Sequence, residues 1–139
     1  MPQYKAPLRE MQFVLHELLN AEQHYAKLPA FQETVSRELV DQYLEAAADF
    51  CENELSPLNQ VGDREGCTWN DGVVTTPTGF KEAYKKYIEL GFPSLSAEEQ
   101  YGGQALPNSL GITISEMVGT ANWSWGMYPG LSHGAVRTL

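Results

Sequence analysis

The chain has 139 residues, of which 42% are hydrophobic and 19% charged, a composition that fits one folded domain and excludes disorder as the main state. Nine Lys and Arg face eighteen Asp and Glu, for a formal net charge of −9. A surface with that excess repels phosphate backbones and anionic lipids, so we expect no nucleic-acid partner.

No stretch of the sequence approaches the roughly 18 consecutive apolar residues that a bilayer span needs, and its start contains no apolar run suited to a signal peptide. We therefore expect no membrane span and a cytoplasmic location. Cys51 and Cys67 have no second pair beside them and predict two free thiols. His16 and Glu17 begin a zincin-like pattern, but Asn20 stands where the second His ligand would be, so no metal site is predicted.

The first segment has the apolar spacing of a short amphipathic helix, with His16 on its polar side. Its predicted inner face consists of Leu8, Met11, Val14, Leu15, Leu18 and Leu19. Residues 20–33 contain Pro29 and predict a connector of irregular shape.

A stronger helical pattern begins at Thr34 and is expected to end near Leu55, because Pro57 disfavours a helical conformation before it and cannot donate a helical hydrogen bond. The apolar stripe of this helix consists of Val35, Leu39, Tyr43, Ala46, Ala47 and Phe50.

The middle of the chain predicts a loop over residues 57–77 that contains a small hairpin, since Asn70, Asp71 and Gly72 separate two β-prone runs. A further helix follows Pro77 and is expected to end at Gly91, a residue that can take the left-handed conformation. Its apolar positions are Phe80, Tyr84, Tyr87, Ile88 and Leu90.

The last third predicts a fixed loop and then a central helix. In the loop, Ser96 and Glu99 have the spacing of a capping box for one short helical turn. Asn108 is expected to cap a buried helix, and the chain becomes helical again from Leu131. Because this helix would be cut at Leu139, we expect the chain to be a piece of a longer protein. The apolar residues of the buried helix are Leu110, Ile112, Ile114, Met117, Val118 and Ala121.

Two short motifs near the end of the chain have functional and neutral interpretations. Residues 130–134 match the G-x-S-x-G nucleophile elbow around Ser132, yet too little chain follows to supply the acid and the His of a hydrolase triad. Asn122 begins a glycosylation sequon beside apolar residues, and we expect it to be unused. Four large residues nearby could line a ligand pocket or belong to the core: Trp123, Trp125, Met127 and Tyr128. The small residues between them leave room for a backbone or a ligand.

Four segments carry a resemblance to a known family: YKAPLREMQFVLHELL, GDREGCTWNDG, TPTGFKEAYKKYIELGFPSLSAEEQYGG and WGMYPGLSHGA. They are similar to the amino-terminal part of acyl-CoA dehydrogenases, and most of all to a bacterial subgroup with an extra amino-terminal segment. The resemblance implies an all-α fold with a small β-hairpin. It divides the chain into an extension, residues 1–33, and a helical domain, residues 34–139, that is truncated at its carboxy-terminal end.

The resemblance also implies a function for the longer parent protein. Such enzymes bind FAD and oxidise an acyl-CoA to the trans-2-enoyl-CoA, with a Glu as base and an electron-transfer flavoprotein as acceptor. The family base and most flavin contacts come from later domains, so this chain is expected to supply no catalytic or cofactor-binding residue and to be inactive alone. The remaining domains, the acyl-CoA and further copies of the parent are the expected partners.

By their position in the family motif, Met127, Tyr128, Leu131 and Ser132 are predicted to approach the acyl tail of the substrate. The neutral interpretation is that all four are buried contacts between domains. Two alternatives for the whole chain are a non-catalytic helical interaction module and a serine-hydrolase fragment that uses Ser132.

Overall fold

A computed structural model describes residues 3–138 of the chain, apart from the side chain of Arg137. Within this range the fold is all-α except for one hairpin, as the sequence predicts. The α-helices are α1 (Leu8–Gln12), α2 (Ala21–Tyr25), α3 (Arg37–Phe50), α4 (Ser56–Glu65), α5 (Phe80–Glu89) and α6 (Asn108–Thr138), and the strands are β1 (Thr68–Asn70) and β2 (Val73–Thr75). No helix in this range combines the length and hydropathy that crossing a bilayer requires.

The first helix differs from its predicted orientation. α1 continues as a π-helix over Phe13–Leu18, where the N–H of Leu19 donates to the carbonyl of Val14, five residues back. The wider turn rotates the later residues, so Leu18 is 65% exposed and Val14 and Leu19 are exposed as well. His16, predicted on the polar side, is buried instead, and its Nε2 lies 2.8 Å from Oδ1 of Asp41.

The predicted connector contains a helix that the sequence pattern did not show. Tyr25, at the end of α2, is buried, and its hydroxyl lies 2.7 Å from Oγ of Ser109 at the start of α6. Met11 and Tyr25 belong to the same hydrophobic core as the later helices. The division of the chain after residue 33 stays a prediction.

The long helical segment does not end near Leu55, and that expectation is wrong. Ser36 caps α3, with its Oγ accepting from the N–H of Leu39 at 3.2 Å. The helix passes through a π-helix, Cys51–Leu55, directly into α4. Pro57 lies in the first turn of α4, directly after the π-helix, where the regular hydrogen-bond pattern of an α-helix is already interrupted.

The predicted apolar stripe of this segment is confirmed in part, since Val35, Ala47 and Phe50 are buried. Val40 and Leu44, which the prediction left out, are 2% and 0% exposed, whereas Leu39, Tyr43 and Ala46 are only half-buried. These three residues flank the buried face, because the helix packs against α6 along the neighbouring row.

The hairpin and the end of α5 confirm their predictions. β1 and β2 pair antiparallel, and the turn residues Asp71 and Gly72 have φ angles of 46° and 83°, as a type I′ turn requires. Gly91 takes the left-handed conformation after α5, with a φ of 75°. Ile88 and Leu90, two of the apolar positions of the predicted helix, are exposed. The buried positions of α5 are Phe80, Ala83 and Tyr87.

The loop before α6 contains two 3₁₀ turns, Phe92–Ser94 and Glu99–Tyr101, but not the predicted capping box. Glu98 precedes the second turn, and no side chain caps it. The loop is held instead by Gln104, whose Nε2 donates to the carbonyl of Gly91 at 2.8 Å.

α6 has two halves that meet at Asn122, whose φ of −160° and ψ of 89° are not helical. The predicted apolar residues of the first half (residues 108–121) are buried, except that Ile112 is 62% exposed. The helix is not buried all round, because its polar residues Ser109, Ser115, Glu116 and Thr120 are exposed as well. The predicted cap at Asn108 is wrong, since its Oδ1 is buried without a hydrogen-bond partner among the described residues. The second half (residues 123–138) runs to Thr138, and the predicted cut at Leu139 lies outside the described residues.

Candidate functional site

Asn122 fixes the junction between the two halves of α6. Its side chain is almost fully buried, and its Oδ1 accepts from the N–H of Trp125 at 3.1 Å and from Oγ of Ser124 at 3.0 Å. Its Nδ2 donates to the carbonyl of Leu55 at 3.2 Å. Asn122 therefore caps the second half and connects it to the π-helix Cys51–Leu55. This role was not predicted from the sequence, although Asn is a favoured cap. Burial also removes it as a glycosylation acceptor in the folded chain.

Trp125 belongs to the core and not to a pocket. Its indole is fully buried, and its Nε1 donates to the carbonyl of Phe80 at 3.1 Å. Its ring lies 5.3 Å from that of Tyr87 and 5.9 Å from that of Phe50. Trp123, two residues earlier, is 72% exposed. The structure thus places one tryptophan in the core and the other on the surface, a difference that the sequence did not predict.

An open cleft of about 270 Å³ lies between the two halves of α6 and the loop that follows α5. Small residues create its space, since a Cβ on Gly111 or Gly130 would meet no atom within 4 Å. The first half and the loop contribute Phe92, Leu95, Ile114, Ser115, Val118 and Gly119, and the second half contributes Trp123, Gly126, Met127, Pro129, Leu131 and His133.

The lining of this cleft suits an apolar ligand. Ser96, Ser115 and His133 are the polar residues among the described residues that line it, and no Lys, Arg, Asp or Glu is among them. Aromatic rings, aliphatic side chains and Met127 make up most of the wall. A cleft of this kind holds an apolar chain by burial and van der Waals contact.

The structure brings two of the four predicted acyl-binding residues to the cleft. Met127 and Leu131 line it, and both are exposed to it. Tyr128 lies on the other side of the helix, where its ring packs edge-on against Phe80 at 6.2 Å and its hydroxyl is 3.5 Å from Sγ of Cys67. Ser132 is exposed and does not line the cleft. The acyl-binding role of all four stays a prediction.

The nucleophile elbow predicted as an alternative does not form. Ser132 lies inside the second half of α6, whereas the elbow needs a serine on a sharp turn between a strand and a helix. The last strand before it, β2, ends at Thr75. In residues 3–138, no three His, Cys, Asp or Glu side chains converge as a metal site would require.

The chain has counterparts among known sequences. A sequence profile described as "Acyl-CoA dehydrogenase, N-terminal domain" matches residues 37–139. The chain belongs to the acyl-CoA dehydrogenase family, which confirms the resemblance of its motifs. It is 34% identical over 138 residues to the 3-methylmercaptopropionyl-CoA dehydrogenase of Ruegeria pomeroyi. The similarity covers 98% of this chain, including nearly all of the segment before residue 37, but 23% of that relative.

Proposed function

We propose that the chain is the amino-terminal part of a longer FAD-dependent acyl-CoA dehydrogenase, and that its cleft forms one wall of the site for the acyl tail. The observation that carries this proposal is an open, mostly apolar cleft in a chain of this family. By its name, the relative in Ruegeria pomeroyi acts on 3-methylmercaptopropionyl-CoA, and a CoA thioester is the substrate class proposed here. The parent is cytoplasmic, forms homo-oligomers and passes electrons to an electron-transfer flavoprotein.

The contribution of this chain is to shape the site and exclude water. Desaturation removes a weakly acidic α proton of the thioester, which requires a carboxylate base and a polarised carbonyl in a dry pocket. Trp123, Met127 and Leu131 supply apolar surface for such a pocket, and the described lining of the cleft contains no Asp or Glu that could act as the base. The base therefore comes from the rest of the parent, and the isolated chain is inactive.

The cleft does not fit FAD itself. A dinucleotide carries a pyrophosphate, which proteins bind with Arg, Lys or converging backbone N–H groups. The described lining contains no Lys or Arg. FAD in the parent is thus held mainly by chain outside this segment, and we assign none of the residues described here to it.

Spectroscopy of the full-length parent, expressed from its gene, tests the proposal. The purified protein is expected to show flavin absorption that bleaches under anaerobic conditions when an acyl-CoA is added. Met127→Ala and Leu131→Ala are expected to change kcat/KM differently for acyl-CoAs of different length, since one methylene in an apolar pocket is worth roughly 10–200-fold. Ile88→Ala, an exposed apolar site outside the cleft, is the control and leaves the length profile unchanged.

A colourless parent, or one that no acyl-CoA reduces, would contradict the proposed activity. An unchanged length profile in both cleft variants would contradict the role of the cleft. Residues 1–139 alone are expected to be colourless and to transfer no electrons from an acyl-CoA to a dye.

A further inference from the structure

The cleft depends on the angle at which the two halves of α6 meet. The first half contributes Val118 and Gly119 to the lining, and the second half contributes Trp123 and Met127. Between them, the extended backbone of Asn122 interrupts the helix. A continuous straight helix would carry the second half along the axis of the first and away from this shared space.

The start of the second half also decides which of its faces lines the cleft. Trp123, Met127 and Leu131 are spaced four residues apart and lie along one stripe of the helix. With 3.6 residues per turn, a change of one residue in register turns a helix by about 100°. Such a rotation would remove this stripe from the cleft and bring polar or core residues into it.

Three hydrogen bonds hold the register that is observed. The amide of Asn122 accepts from the N–H of Trp125 and donates to the carbonyl of Leu55, and the indole of Trp125 donates to the carbonyl of Phe80. Asn122 is therefore the link between the cap of the second half and the π-helix Cys51–Leu55.

Close packing at the junction leaves little freedom for the wall to adjust. A Cβ on Gly119 would lie 3.1 Å from the ring of Trp123, and a Cβ on Gly126 would lie 3.3 Å from Cγ1 of Val118. At the junction, a glycine of each half thus faces a side chain of the other half. A small rotation of the second half would move Trp123 directly.

We propose that Asn122 is a positioning residue that sets the acyl-length preference of the enzyme, by fixing the rotation of the helix that carries Trp123, Met127 and Leu131. This inference rests on the proposed function, because it takes the cleft to hold the acyl tail. Asn122 itself is buried and does not contact the ligand.

The test uses three variants of the full-length, flavin-loaded parent. Asn122→Ala removes all three hydrogen bonds of the side chain, with Trp125, Ser124 and Leu55. Asn122→Ser keeps an oxygen that can accept from the N–H of Trp125 and loses the donor to Leu55. Asn53→Ala is the control, since Asn53 is an exposed helical amide that bonds only locally, to Asp49 at 2.7 Å. The measured quantity is the ratio of kcat/KM for a long and a short straight-chain acyl-CoA.

We expect Asn122→Ala to change this ratio by about tenfold, a change of the size that one methylene makes, with kcat on the preferred length within about threefold of the wild type. Asn122→Ser should give an intermediate ratio, and Asn53→Ala the wild-type ratio. If Asn122→Ala does not retain flavin, the ratio of the Ser variant decides the test.

An unchanged ratio in the folded Asn122 variants overturns the inference, and so does a loss of kcat/KM that is equal for both lengths. If Met127→Ala changes the ratio and the Asn122 variants do not, the inference is wrong while the proposed function stands. If no acyl-CoA bleaches the wild-type parent, the proposed function fails, and the inference falls with it.

Discussion

Glu52 anchors the start of the chain to the long helical segment. Its carboxylate accepts from the ammonium of Lys5 and, at 3.0 Å, from the backbone N–H of Ala6. These hydrogen bonds hold the pKa of Glu52 below its usual range, and the one from Lys5 has the larger effect. The carboxylate makes these hydrogen bonds only in the folded chain. Its contribution to stability is therefore present above the ordinary Glu pKa of about 4.3 and is lost as the pH falls through the lowered pKa of the folded state.

Glu52→Gln is expected to lower the free energy of unfolding at pH 7 by up to about 1 kcal/mol, because Lys5 is largely exposed and such pairs are screened by water. The difference from the wild type should shrink below a pH of about 4.3. Urea denaturation of residues 1–139 at several pH values measures this. Asp63→Asn, at an exposed position on α4, is the control, and a deficit that stays constant down to pH 3 would refute the assignment.

The two cysteines should differ sharply in reactivity. Both thiols are free, with Cys51 fully buried and Cys67 exposed. Burial, and then the charge of Glu52, raises the pKa of the Cys51 thiol to about 12. Because the thiolate is the nucleophile, iodoacetamide at pH 8 is expected to label one thiol per folded chain and two after denaturation. Cys67→Ser should abolish labelling of the folded form, and persistent labelling there would contradict the buried position of Cys51.

Residue-level prediction succeeded where a local rule decides the outcome and failed where a distant partner does. The turn at Asp71 and Gly72 follows from the two residues themselves. Nothing local distinguishes Trp125 from Trp123, since the difference depends on the carbonyl of Phe80, which is 45 residues from Trp125. The same holds for Asn108 and Asn122, of which the sequence favoured the wrong one as a cap.

At the scale of elements, the sequence predicted most helices but neither π-helix. A π turn inserts one residue into the helical repeat, and periodicity read along a regular helix cannot show it. Cys51 and Leu55, at the two ends of the second π-helix, are both fully buried against α6. This burial compensates for the irregular turn, and its cause lies far along the chain. The misplaced end at Leu55 has the same origin.

Substitution of a helical glycine by alanine is expected to change stability in opposite directions at two sites, because the two helices are packed differently. A Cβ on Gly62 of α4 would lie 2.6 Å from Cζ of the buried Phe80 ring, whereas Gly111 of α6 has open space. Alanine gains about 1 kcal/mol of helix propensity at either site, but overpacking costs roughly 1–3 kcal/mol. Gly62→Ala is therefore expected to lower the urea midpoint and Gly111→Ala to raise it. Equal increases in both variants would show that Phe80 moves freely.

At the scale of the molecule, residues 3–36 and the family domain share one core, yet one side of that domain stays apolar and open. Tyr25 and Met11 are buried in the same hydrophobic core as residues of the later helices. In contrast, Trp123 and Leu131 on the second half of α6 are 72% and 71% exposed. The sequence indicated this surface through its aromatic residues, but the exposure of each one depends on the rotation that Asn122 sets.

An exposed apolar surface of this kind favours association between copies of the chain. We expect residues 1–139 to form dimers or larger species in light scattering, and the double variant Trp123→Gln with Leu131→Gln to shift them toward monomer. Trp69→Gln is the matched control, because Trp69 on the hairpin is equally exposed, at 73%, but lies away from the cleft. A monomer at high concentration would contradict the expectation. An equal effect of the control would show that the association does not depend specifically on the face around Trp123.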